Sequence, residues 1–243
     1  MRLVQRDTVI EATTAEPAEN WDWLHHYLQT EVSLAEIVAT FPRDEPMRRS
    51  VEAYRGLRLL RQDPWECLAS FILSSTKQIV QIQQICGMLC DQWGEPTAMV
   101  TQRPWARTFP SAECLAGCHE SDLRACKMGF RAPHLLGAAE AVASGRLSLG
   151  RLHQLSLEEA REKLCSLRGV GPKIANCVLL FAYGFPSAFP VDVWVKKAIR
   201  RLYFPRRTVS EQRLAIFANE HFGPNSGYAQ QYLFHYMRMH PHP

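Results

Sequence analysis

The 243-residue chain has no apolar run that approaches transmembrane length, and residues 1–20 are polar and in places acidic, without the apolar core of a secretory signal. An intracellular protein without a membrane partner is therefore expected, in the cytoplasm, nucleoid or nucleus. The chain also lacks an internal repeat, a low-complexity tract and a glycine-rich nucleotide loop, which sets aside solenoids and the common nucleotide-binding folds. No cysteine follows Cys177, which excludes a C-terminal iron–sulfur loop ligated by cysteines. The eight cysteines (67, 86, 90, 114, 118, 126, 165 and 177) do not form a secreted-type framework, so reduced thiols are expected. Cys86/Cys90 and Cys114/Cys118 are each four apart, a spacing open to a zinc site but equally to the buried stripe of a helix, and no metal is assigned.

What is present is a globular composition. Hydrophobic residues make up 47% of the chain, enough for a substantial core in one large domain or two small ones. The formal charge of +4 permits a polyanion partner without requiring one. The clustering of charge says more: Arg161, Lys163, Arg168, Lys173, Lys196, Lys197, Arg200 and Arg201 fall in one stretch, with Arg206 and Arg207 just beyond. This is a candidate phosphate-facing surface, although such runs also serve simply as solvated faces.

Residues 156–203 organise the chain. Ser156-Leu-Glu-Glu159 is a capping box, and Leu157, Ala160, Leu164 and Leu167 follow on one helical face, up to Gly169. Gly169-Val-Gly171 is a tight turn whose glycines can take positive φ and leave backbone bare toward a ligand, and Pro172 suits the first position of a second helix. A bare turn beside a helix N-terminus suits an anion, most often phosphate; the plainer reading is an ordinary αα-hairpin. The second helix, Lys173 to about Tyr183, carries Ile174, Val178 and Phe181 on one face and ends at Gly184 and Pro186. At the start of that helix the dipole and partial burial both disfavour the Lys173 ammonium, so its pKa should fall, and an amine so perturbed is a nucleophile. Asp192, in Phe-Pro-Val-Asp-Val-Trp194, is a helix N-cap or, in a site, an ionised carboxylate facing developing positive charge.

At these residues the sequence resembles a family. GVGPKIANC followed by PVDVW is similar to the helix-hairpin-helix (HhH-GPD) DNA glycosylases, and more narrowly to their lysine-bearing 8-oxoguanine branch. Arg58-Leu-Leu-Arg-Gln-Asp-Pro-Trp-Glu-Cys-Leu is a second block of that kind and Gly227-Tyr-Ala-Gln-Gln-Tyr-Leu-Phe234 a third, so the resemblance runs from about Leu57 to Met237. It implies a mainly α, two-lobed helical fold with at most a remnant of an N-terminal β-sheet: residues 1–20 the remnant, residues 21–243 the helical region, and the helix-hairpin-helix at about 156–183. It implies Lys173 as Schiff-base nucleophile and Asp192 as catalytic carboxylate. Gln230 and Phe234 match the positions that bond to and stack on the flipped base, with Cys177 packed beside it and Phe181 in the same pocket. Gly169, Gly171, Trp194, Phe130 and Arg131 are expected on DNA, Phe130 as a wedge between bases and Arg131 against the opposite strand. The turn at Thr76 and Lys77 stands where the family has a gap-filling asparagine, and Gln81 where it commonly has an arginine that reads the orphaned cytosine.

The implied activity is excision of oxidised guanine from double-stranded DNA with strand cleavage at the abasic site, by a monomer, without cofactor or metal. The alternatives are a glycosylase for another damaged purine and a non-catalytic DNA-binding protein. A base inside a duplex cannot be attacked at its sugar, so the nucleotide must be turned out first.

The remaining chain reads as a possible strand pair near Leu3–Ile10, a loop from Thr13 to Asn20, and short helices at Trp21–Thr30 and Ser33–Thr40. Helical patterns follow at Met47–Leu60, Trp65–Leu73, Leu135–Ala143, Ser210–Phe222 and Tyr228–Met239. The family usually has a longer β-sheet domain before this point, so either a shortened subgroup or an incomplete chain is expected. The missing part normally supplies a backbone carbonyl that senses the N7 hydrogen of 8-oxoguanine, which bears on lesion selectivity more than on catalysis.

Overall fold

The computed structural model describes residues 1–14, 17–74, 78–97, 107–205 and 207–240. Its order is β1 (Arg2–Arg6), β2 (Val9–Thr13), α1 (Asp22–Leu28), α2 (Leu34–Ala39), α3 (Glu45–Ala53), α4 (Pro64–Leu73), α5 (Ile79–Trp93), α6 (Ala112–Ala116), α7 (Glu120–Leu123), α8 (Ala132–Ala143), α9 (Leu157–Cys165), α10 (Pro172–Val178), α11 (Val193–Tyr203), α12 (Glu211–His221) and α13 (Ser226–Met239). The fold is mainly helical. Among the described residues the only sheet is β1 paired antiparallel with β2, with Leu3 opposite Ala12 and Gln5 opposite Ile10. No described helix is long and apolar enough to cross a membrane.

The chain divides into two compact units. The first comprises Met1–Leu24, Ala69–Ser148 and Leu167–Gly169; the second comprises His25–Leu68, Leu149–Ser166 and Val170–Pro243. In the first, α6 and α7 pack on α8, and Ile85, Leu89, Leu115, Leu123, Met128 and Leu135 form its core. In the second, α13 packs on α3 and α11, burying Met47, Val195, Ile199, Tyr232, Leu233 and Met237.

Local chemistry sets most boundaries. Ser33, Asp44, Ser156, Asp192 and Ser210 all sit in extended N-cap conformations and accept an early backbone N–H. Three spans differ from their patterns. The helix read over Met47–Leu60 stops at Ala53, because the next residues turn through Gly56 at φ +87° and their backbone donors go elsewhere: Leu59 N–H to the Tyr228 hydroxyl (3.3 Å), Arg61 N–H to the Tyr27 carbonyl (2.8 Å) and Gln62 N–H to the Phe181 carbonyl (2.9 Å). The helix from Ser156 ends at Cys165, ahead of Gly169. The helix read as Lys173–Tyr183 is α-helical to Val178 and then widens into a π turn at Leu179–Tyr183, closed by Gly184 in the left-handed conformation.

Gly94 and Gly227 are both fixed by close approach to backbone. Gly227 opens α13 and donates its N–H to the Pro186 carbonyl at 2.8 Å, and a Cβ there would run into the carbonyl oxygens of Ala188 and Pro186 and the Leu180 side chain. Gly227→Ala should cost about 1–3 kcal/mol through overpacking. Gly137→Ala, inside α8 with open space where its Cβ would stand, should instead gain roughly 0.5–1 kcal/mol. Thermal melts of the two variants check this, and an unchanged Tm for Gly227→Ala would mean that α13 can slide away from the 186–188 loop.

Candidate active site

The hairpin begins with the capping box made in full: the Ser156 hydroxyl accepts from Glu159 N–H at 3.3 Å, and Ser156 N–H donates to the Glu159 carboxylate at 2.9 Å. Of the two turn glycines, only Gly169 uses positive φ (+85°), and its missing Cβ admits the His134 imidazole against the backbone. Gly171 is extended (φ −99°, ψ 179°) and is the N-cap of α10, with Pro172 as the first helical residue. A Cβ at Gly171 would meet nothing within 4 Å, so the fold itself does not need glycine there; what it leaves is backbone open to an incoming group.

Lys173 follows, half-buried, and Cys177 lies one turn further along α10, buried. Burial pushes the Cys177 thiol up to about 12; the Lys173 ammonium acts on it in the opposite sense and the Asp192 carboxylate adds to the rise. An amine and a carboxylate therefore both act on one buried thiol. Burial raises the Cys67 thiol as well, with Cys177 adding to the rise. Thiols held this way do not react as thiolates. At pH 8 iodoacetamide should label the exposed Cys114 and leave Cys67 and Cys177 unmodified until denaturant is added, which peptide mass mapping can follow. Labelling of Cys177 in the folded protein would show that the pocket opens.

Asp192 is held as the cap of α11, its Oδ1 accepting from Val195 N–H at 2.7 Å. The loop before it is tied to the hairpin by Asn176, whose amide donates to the Phe189 carbonyl at 3.0 Å and accepts from Arg161 Nε at 2.9 Å. Asn176 and Arg161 therefore link the lysine helix to the aspartate loop. The sequence shows Arg161 only as a member of the basic cluster and gives Asn176 no role of its own, since the bonds they make span 15 and 13 residues and neither position carries a turn or cap signal.

The residues expected around a flipped base lie in the same unit. Gln230 is only 2% exposed, bonded to the neighbouring Gln231 amide, and Phe234 stands one turn further along α13, half-buried. Phe181 is half-buried in the π turn, its carbonyl engaged by Gln62 N–H. The second sequence block serves this arrangement as a brace. Arg58 donates to the carbonyls of Gln29 (2.7 Å) and Val32 (2.8 Å); Arg61 donates to Gln29 Oε1 (3.0 Å) and the Leu180 carbonyl (3.4 Å), and its guanidinium fills the space a Gly184 side chain would need.

Trp194 is exposed on the first turn of α11 with the Lys197 ammonium 5.5 Å from its ring, beside the still more exposed Val193. Phe130, 59% exposed, projects from a sharp bend in the first unit, where Lys127 (φ +61°) and Gly129 (φ +59°) both take left-handed backbone. Arg131 is not the surface contact expected of it. It is 2% exposed, with its guanidinium 4.3 Å from the Phe130 ring centre, so that ring covers it. Gln81 is exposed and bonds back to the start of its own helix, its Oε1 accepting from Gln78 N–H at 3.0 Å in a capping box. Thr76 and Lys77 lie outside the described residues. No group of three or more His, Cys, Asp or Glu suited to a metal ion occurs among the described residues.

Two helices joined by a glycine turn, with a capped aspartate at the start of the helix that follows, make up a helix-hairpin-helix element. A family model described as "HhH-GPD superfamily base excision DNA repair protein" matches residues 69–222, and one described as "8-oxoguanine DNA glycosylase, N-terminal domain" matches residues 4–68. The chain belongs to the HhH-GPD superfamily. It is 31% identical over 219 residues to the "Probable N-glycosylase/DNA lyase" of Methanothermobacter thermautotrophicus, covering 82% of this chain and 69% of that one. It is 31% identical over 222 residues to the "N-glycosylase/DNA lyase OGG1" of Arabidopsis thaliana, covering 86% of this chain and 60% of that one. Its fold matches the solved 8-oxoguanine glycosylase/lyase of Clostridium acetobutylicum, in complex with double-stranded DNA containing cytosine opposite 8-oxoguanine, with a TM-score of 0.89 at 33% identity over 98% of this chain and 81% of that one.

Proposed function

We propose that this protein excises 8-oxoguanine from duplex DNA through a Schiff base on Lys173 and then cleaves the strand by β-elimination. The observation that carries this is Lys173 standing one turn before the buried Cys177 on α10, with the Asp192 carboxylate near enough to act on the same thiol, because a protein that only grips phosphate needs neither an amine nor a carboxylate there. The relatives' names and the DNA-bound neighbour support the substrate class.

The chemistry follows from the residues. The unprotonated Lys173 amine adds to C1′ as the N-glycosidic bond breaks, and the base leaves with the bonding electrons and a proton. Asp192 faces the positive charge that develops on the sugar and accepts or relays the proton the amine loses. Ring opening gives an iminium between Lys173 and C1′. That iminium makes the C2′ proton acidic, and its removal expels the 3′ phosphate. Gln230 bonds the extruded base, while Phe234, Phe181 and Cys177 pack against it; Phe130 fills the gap it leaves.

The test uses duplexes with 8-oxoguanine opposite each of the four bases, a methylated adenine and an undamaged control. Free 8-oxoguanine together with strand breaks that need no heat or alkali is the expected result. Release of methyladenine alone would move the chain to another glycosylase class, and binding without any release would leave a DNA-binding protein.

A further inference from the structure

His134 is not used by this chemistry, yet it occupies the turn that the hairpin presents. It lies near the start of α8, half-buried, with its imidazole against the backbone of Gly169 at the one position where positive φ and the absence of a Cβ make room for a ring. Gly169 and Arg168 are both exposed beside it, and the exposed Phe130 meets the imidazole edge-on at 6.2 Å between ring centres. The charged groups acting on His134 are Arg168 from the hairpin and Arg131 from the start of its own helix, both cationic. His134 and Arg168 thus flank the exposed Gly169 backbone, while the buried Arg131 acts on His134 only through its charge.

We infer that His134, Arg168 and the Gly169 backbone form a phosphodiester-binding subsite, and that the imidazole takes up a proton when the duplex docks. The inference rests on the DNA-binding reading of the hairpin and adds to it a site residue and a pH dependence. Without DNA, burial first and then the Arg168 and Arg131 charges hold His134 below the usual imidazole range, so at neutral pH it is uncharged. An anionic phosphate placed beside those arginines reverses the balance and favours the imidazolium. The sign follows: the folded free protein binds fewer protons here than its complex does, so duplex affinity rises as pH falls through the titration of His134 in the complex. One further cation at the interface also steepens the salt dependence by about one ion.

The experiment follows the His134 C2–H signal by NMR between pH 5 and 8.5, free and with excess undamaged duplex. The signal is assigned by its loss in His134→Gln or, if that variant fails to fold, in His134→Tyr, which keeps a ring against Gly169. The expected result is a titration midpoint at least about one unit higher with duplex than without. A midpoint that stays put while other signals move on adding duplex overturns the subsite and leaves the DNA-binding reading standing. If no signal moves, the duplex is not bound, and both readings fall.

Discussion

Lys173→Gln should abolish lesion-dependent strand cleavage while leaving the protein folded. Glutamine keeps much of the half-buried stem of Lys173 and removes only the nucleophile. Loss of the attacking group in an enzyme that works through a covalent intermediate lowers turnover by about 10³-fold or more. Because α10 takes its start from Gly171 and Pro172, not from the lysine, its stability should change by less than about 1 kcal/mol. Single-turnover cleavage and a thermal melt, run on the same preparation, measure both halves. Full cleavage by the variant would remove Lys173 from the mechanism.

Asp192 carries two roles, and two substitutions separate them. Asparagine caps a helix about as well as aspartate, so Asp192→Asn should keep the bond to Val195 N–H and most of the stability of α11. It removes the charge, and with it the stabilisation of cationic character at the sugar, at a cost of roughly 10²–10³ in rate. Asp192→Ala should lose the same rate and about 1 kcal/mol of stability in addition, the ordinary value of a cap. Rate constants and melts for the pair check the separation. If Asp192→Asn retains full rate while Asp192→Ala loses it, Asp192 acts only by positioning α11.

Which parts of this were readable from sequence depends on the distance over which each interaction acts. Ser156, Asp192 and Ser210 were legible as caps because donor and acceptor lie within three residues of each other. The hairpin was legible for the same reason, whereas the roles of Lys173 and Asp192 in chemistry came from the family resemblance. Asp44 shows the limit. It caps α3 through Met47 N–H at 2.9 Å, but it also accepts from the Tyr203 hydroxyl at 3.2 Å and pairs with His221 at 2.6 Å, joining three helices through partners 159 and 177 residues away. No local pattern announces such a junction.

The braces of the second sequence block were missed in the same way. Arg58 reads as part of the helical pattern Met47–Leu60 and Arg61 only as part of the second block; instead residues 57–63 form no helix, and the two side chains bind carbonyls brought in from Gln29, Val32 and Leu180. The burial of Arg131 was equally hidden, because a bend set by left-handed Lys127 and Gly129 turns Phe130 over it.

The central claim is that Lys173 attacks the sugar of an oxidised guanine nucleotide. Borohydride reduction during reaction with a duplex carrying 8-oxoguanine opposite cytosine, followed by proteolysis and mass mapping, tests it most directly. The expected result is one sugar-linked peptide, containing Lys173, formed on the damaged duplex and not on the undamaged one. A trapped peptide carrying a different amine, or damaged base released with no trapped adduct at all, would contradict it.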